Sequence, residues 1–287
     1  HVMTAIVQLL TMIALSFGLL ILAKRFCRYP VLVYFALITW MGLHNQFEIG
    51  LGWQSLISGY LQPSEIAGSL MVLGMAFLLN YQYLLSGIIL GIAGLFHAAI
   101  LASFAPIIFI TSLATNLWKD YKVLALFVLP LIFFWGIFTL VIGNVFLNSS
   151  SDPSAMSIIV SLRNSGDLII SNWNIKWSLI WLILTIMGAV TIWGLPLDEK
   201  YKALRVSFFS SVLFIILSVS QTALLKIDSI TALMLWRSAP WVIILSLLII
   251  LDKCIDILIV SNRSLQRNEY RFITLIIIVG LILFFSG

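Results

Sequence analysis

Charge is what this sequence has least of. Asp, Glu, Lys and Arg supply 9% of its 287 residues, where a soluble globular domain carries roughly 25%. That shortfall excludes an ordinary water-soluble domain. Cysteine is scarcer still: Cys27 and Cys254 are the two present, both placed in basic loops. They form no CxxC pair and no metal spacing, which excludes a disulfide framework and leaves both as expected free thiols. The three histidines, His1, His44 and His97, are scattered, so no metal is expected. No P-loop, Rossmann fingerprint, GxSxG elbow or zincin motif occurs, and no cofactor is expected. The formal net charge of +5 is dispersed through short loops, so it argues for no nucleic-acid partner.

What the chain has instead is apolar length. Hydrophobic residues make up 62% and the mean hydropathy is +1.13. The fold class expected is all-α, a polytopic integral membrane protein with short or broken helices and interfacial helices on its outer face. Val2–Leu22 is long enough for a ~30 Å hydrocarbon core and carries no small-residue cleavage site after it, so it reads as a retained span. Spans follow at Val31–Leu43, Ile66–Leu79, Leu84–His97 and Ala98–Trp118, with a hinge at His97. Val123–Leu147 is expected to be kinked or broken at Pro130. Further spans are Trp177–Gly194, Val206–Leu224, a return from near Ser229 with Arg237 inside it, and Phe272–Ser286. Asp252–Arg271 is read as the longest cytoplasmic loop. Gly87, Gly91 and Gly94 suit close helix packing.

Twelve of the sixteen Lys and Arg residues fall on one side of this scheme: 24, 25, 28, 119, 122, 200, 202, 205, 253, 263, 267 and 271. Residues 163, 176, 226 and 237 fall on the other. The positive side is cytoplasmic, which gives about ten crossings with the N-terminus outside. The whole of 1–287 is read as a single transmembrane domain, with a longer parent protein as the alternative because the chain opens on His1.

The polar, glycine-punctuated stretch His44–Glu65 interrupts these runs. Trp53, Leu56, Ile57, Tyr60 and Leu61 share one helical face, as in a segment that lies along an interface. Ser64 is the expected N-cap of the next helix, with Glu65 at its positive dipole end. A second outer segment, Asn148–Lys176, holds Arg163.

Ionisable groups at membrane depth or edge are functional candidates by default. The substrate-binding set expected here is Arg237, His97, Glu48, His44, Arg163 and Glu65, with no catalytic residue assigned. Arg237 lies between Trp236 and Trp241 and needs an anion, a carboxylate or carbonyls. A lipid phosphate would suit its bidentate fork, and a structural pair with an acid such as Glu48 is the alternative. His97 either caps a helix or contacts a substrate as a proton shuttle. His44 and Glu48, four residues apart, form an acid–base pair only if their segment is helical.

The order of Leu61-Gln62-Pro63-Ser64, the glycine-rich Ser86–His97 run, Leu162-Arg163, Asn172-Trp173 and Leu235-Trp236-Arg237-Ser238 resembles bacterial polytopic proteins of the GT-C glycosyltransferase superfamily. The likeness covers roughly residues 1–250. It implies a multi-pass fold in the bacterial inner (plasma) membrane whose outer cavity takes a polyprenyl-phosphate sugar donor. It also implies a catalytic acid in a first outer loop that would lie upstream of His1. Ala98 stands where the family often has proline after the histidine. Three readings stay open: a GT-C-like glycosyltransferase or its membrane part, a non-catalytic accessory or scaffold subunit with partner membrane subunits, and a transporter of a lipid-linked substrate. Against the last, no inverted repeat is visible.

Overall fold

In the computed structural model the described residues are 2–43, 62–147, 175–221 and 235–263, and every regular element among them is helical. In chain order they are α1 (Val2–Phe26), α2 (Pro30–Leu43), α3 (Pro63–Leu79), α4 (Tyr83–Phe96) and α5 (Ala98–Ala114), then a 3₁₀ turn (Leu117–Lys119), α6 (Tyr121–Leu147), α7 (Ile175–Trp193) and α8 (Glu199–Ser220), and finally a second 3₁₀ turn (Leu235–Ser238) and α9 (Ala239–Arg263). Three of these are long and apolar enough to cross a membrane: α1, the Tyr121–Phe138 stretch of α6, and α8. The other apolar helices are shorter, such as Tyr83–Phe96 and Ala98–Ala114.

Local chemistry sets the boundaries. Prolines open α2 and α3, where the missing N–H is one the helix would leave unpaired anyway. The N-cap of α3 is Gln62, in extended backbone, and not Ser64 as expected: Pro63 takes the first helical position, so Ser64 already lies inside the first turn. Asp198 caps α8 by accepting the Tyr201 N–H at 3.0 Å, so that helix starts at Glu199 and absorbs residues expected as loop. Asp120 does the same for α6, accepting the Lys122 N–H at 2.9 Å. α6 runs unbroken past Pro130. Proline removes one bond from a long ladder there, and neighbouring turns hold the rest.

The end of the chain departs furthest from expectation. α9 continues through Asp252, Lys253, Cys254 and Asp256 to Arg263, where a loop from Asp252 was expected. Charged residues can extend a helix past the apolar layer, and an apolar count does not register them. Arg237 lies in the 3₁₀ turn ahead of α9, not inside a span. Pro240 therefore stands in the first turn of α9, a position that tolerates it, and does not open a helix interior. Residues 229–234 and the expected span Phe272–Ser286 lie outside the described residues.

Two helices form the interior. Every residue from Ser238 to Ile250 is buried, as is every residue from Met71 to Leu79. A helix that is apolar all round belongs inside a protein or a membrane. α3 packs against α1, α4 and α5, and α9 against α2, α7 and α8. α6 sits outermost on α4, with Leu129, Ile132 and Phe133 all exposed. Small residues let the helices close. A Cβ on Gly87 would strike the carbonyl oxygen of Phe127, one on Gly91 the ring of Phe134, and one on Gly188 the Ser246 hydroxyl. Of the three glycines expected to pack closely in α4, Gly87 and Gly91 thus seat α6, and Gly94 meets Leu101 of α5.

A Gly87→Ala change should lower thermal stability by about 1–3 kcal/mol, the usual effect of forcing an atom into a filled contact. Gly136→Ala in α6, where an added Cβ meets nothing within 4 Å, should be neutral or mildly stabilising. Parallel thermal melts of the two variants check this, and equal melting temperatures would contradict the packing.

Candidate functional site

Polar groups gather at the two ends of the helix bundle. One end is basic and tightly tied. The Asp252 carboxylate of α9 accepts the backbone N–H groups of Arg28 and Tyr29 at 2.8 and 3.1 Å. One turn on, Asp256 pairs with the Arg28 guanidinium at 2.8 Å and accepts from the Tyr29 hydroxyl at 3.4 Å. The Tyr201 hydroxyl donates to the Phe26 carbonyl at 3.1 Å, and the Tyr81 hydroxyl to that of Glu199 at 3.4 Å. The Arg25 guanidinium lies 4.9 Å from the Tyr81 ring centre. Arg205 donates to the carbonyls of Ile192, Leu195 and Pro196 past the end of α7. These residues bind the ends of α1, α2, α3, α7, α8 and α9 together. Their work is structural, and it was not visible in the sequence because Arg28 and Asp252 are far apart along it.

The opposite end holds the sequence-predicted site residues that fall among the described ones. Glu65, in the first turn of α3, is 4% exposed. Asn80, beyond the far end of α3, is about 22 Å away along the axis at 1.5 Å per residue. His97 stands between α4 and α5 in extended backbone, φ −157° and ψ 92°, so it is the hinge the sequence suggested. Its main chain carries the joint: the N–H donates to Ala93 at 3.0 Å and the carbonyl accepts from Ile100 at 3.1 Å. The imidazole makes no capping bond to α5. Arg237 comes to the same end from the 3₁₀ turn, which packs against α5 and α8. Below it the Trp181 indole donates to the Ala239 carbonyl at 3.3 Å, and the Trp241 indole to the Ser207 hydroxyl at 3.1 Å. These ties fix the start of α9 and with it the turn.

Arg237 and His97 are close enough to interact electrostatically. In its neutral form an imidazole donates one hydrogen bond and accepts another. Arg237 and His97 thus lie at one end of the bundle, and Glu65, in the first turn of α3, shares that end. His44, Glu48 and Arg163 lie outside the described residues, as do most of His44–Glu65 and of Asn148–Lys176. Among the described residues no three His, Cys, Asp or Glu side chains gather as a metal site would need. Cys27 and Cys254 are free thiols; Cys27 is buried, with its sulfur 3.6 Å from the Leu248 carbonyl, and Cys254 lies within α9.

No protein-family model, curated protein or solved structure matches this chain.

Proposed function

We propose that this chain is a multi-pass inner-membrane protein of about ten crossings that binds a polyprenyl-phosphate-linked sugar at the end holding His97 and Arg237. In this reading it is a GT-C-like glycosyltransferase or the membrane part of one. The observation that carries it is the placement of Arg237, held in a turn against α5 and α8 and close enough to His97 to interact with it. A guanidinium offers a planar fork that matches two phosphate oxygens. A neutral imidazole adds a donor without adding a second charge. The apolar helices below would accommodate a polyprenyl tail. This reading places the Arg237 end at the outer face and the basic end in the cytoplasm.

A second reading, a non-catalytic accessory or scaffold subunit, draws on Glu65. It is the one acid among the described residues at the Arg237 end, and at 4% exposure it is closed to a sugar. Transfer chemistry would then require an acid from elsewhere.

Thermal stability of the purified protein with and without a polyprenyl phosphate separates the readings. The ligand should raise the melting temperature of the wild type. Arg237→Lys keeps the charge and loses the fork, so its ligand affinity should drop about tenfold, the equivalent of roughly 1.5 kcal/mol for one charge-assisted bond. Stabilisation absent from both proteins, or equal in both, removes Arg237 from a phosphate site and favours the scaffold reading.

A further inference from the structure

The corner between α5 and α6 is built more firmly than a connecting loop requires. Asn116 takes a left-handed conformation, φ 59°, and turns the chain into the short 3₁₀ segment. Leu117 points inward at 2% exposure, and the Tyr83 hydroxyl of α4 donates to the Thr115 carbonyl at 3.1 Å. Asp120 spends its carboxylate on the N–H groups of Lys122 and Val123. With those groups fixed, Trp118 and Tyr121 face outward at 57% and 76% exposure. Lys119 and Lys122 each lie over one of these rings, both at 5.9 Å from ammonium to ring centre. Neither lysine is ion-paired among the described residues.

The surface that leaves this corner is apolar. Along α6 it carries exposed Leu126, Leu129 and Phe133, and on α5 exposed Phe109 and Leu113. α6 is one of the three helices able to cross a membrane, and its apolar stretch starts at Tyr121. Two cations, two amphipathic rings and an apolar wall therefore follow one another in the order in which a lipid presents its phosphate, glycerol and acyl chains. Tryptophan and tyrosine prefer that interfacial level, and lysines near it attract anionic headgroups.

We propose that the Trp118–Lys122 corner is a binding site for an anionic phospholipid, with Lys119 and Lys122 on the headgroup phosphate and the acyl chains along α5 and α6. The site is separate from the Arg237 end and faces the opposite leaflet. Charge complementarity selects the occupant: a zwitterionic headgroup brings its own cation to the two ammoniums, and a partner protein would need an acidic segment set at membrane depth.

Native mass spectrometry of the full chain in detergent, titrated with phosphatidylglycerol, phosphatidylcholine and inorganic phosphate, tests this. The wild type should retain phosphatidylglycerol in preference to the other two. Lys119→Gln/Lys122→Gln should bind it about thirtyfold more weakly, from a contribution of about fivefold for each lysine near a charged surface. Lys119→Arg/Lys122→Arg should keep the preference. Lys24→Gln/Lys253→Gln removes two exposed charges elsewhere at the basic end and should also keep it. Equal retention of the two lipids by the wild type overturns the proposal, as does an equal response to inorganic phosphate. So does a loss in the Lys24/Lys253 variant as large as that in the Lys119/Lys122 variant, which would reduce the effect to bulk charge.

Discussion

The fold depends on keeping long stretches of two helices away from solvent. In α3 and α9 the stretches Met71–Leu79 and Ala239–Ile250 are buried on every side. Their backbone groups must then be satisfied within the helix, since an unpaired amide away from water costs several kcal/mol. Three side chains at their contacts reach for carbonyls or hydroxyls in the same way. Ser86 donates to the Gly74 carbonyl at 2.8 Å, Trp181 to that of Ala239 and Trp241 to the Ser207 hydroxyl. Each of these ties joins an outer helix to a central one, so polar bonding orients the helices while apolar packing brings them together.

Charge is excluded from that interior and collects at the ends, where it takes two different roles. At the basic end, Asp252 and Asp256 stand one turn apart on α9 and together hold the α1–α2 connection. Bonds from a carboxylate to backbone N–H groups are worth more than exposed ion pairs. Lys202 and Glu199, exposed and three residues apart, are of the second kind and add little. The start of α6 is fastened by the Asp120 carboxylate on the Lys122 and Val123 N–H groups, and the end of α5 by the Tyr83 hydroxyl on the Thr115 carbonyl. The lysines beside it are left facing outward.

The sequence was most legible where one residue decides the backbone. Gly87 and Gly91 of α4 marked a close helix contact that the structure places against α6, whereas the start of α3, expected at Ser64, lies at Pro63. His97 was legible as a joint because the apolar run around it is too long for a single crossing. Helix ends were less legible. α1 runs on through Lys24 and Arg25 to Phe26 and α9 through Asp252 and Asp256 to Arg263, because helices do not stop where apolarity stops. Arg237 was placed one element too deep for the related reason that Leu235–Ser238 continues the apolar pattern without continuing the α-helix. The proximity of Arg237 to His97 depends on which helices pack together, and one chain's pattern of polar and apolar residues does not encode that directly.

Helix length then explains why the Arg237 end suits a site at all. Starting from the basic end, α1 has 25 residues and α8 has 22, lengths of about 38 and 33 Å. α4 reaches His97 with only 14 residues, or about 21 Å. α9 likewise covers the distance from Asp252 back to Ala239 in about 20 Å. The hinge and the 3₁₀ turn therefore stop well short of the far ends of the longer helices. Consistent with this, Val2 and Met3 at the start of α1 are 76% and 73% exposed, as expected of a helix that projects past its neighbours. In the proposed reading as a multi-pass membrane protein, a set of short helices among long ones would leave its polar caps at membrane depth instead of at the surface. A guanidinium there would be poorly hydrated, and an anion at the same depth would be worth more to it than in water.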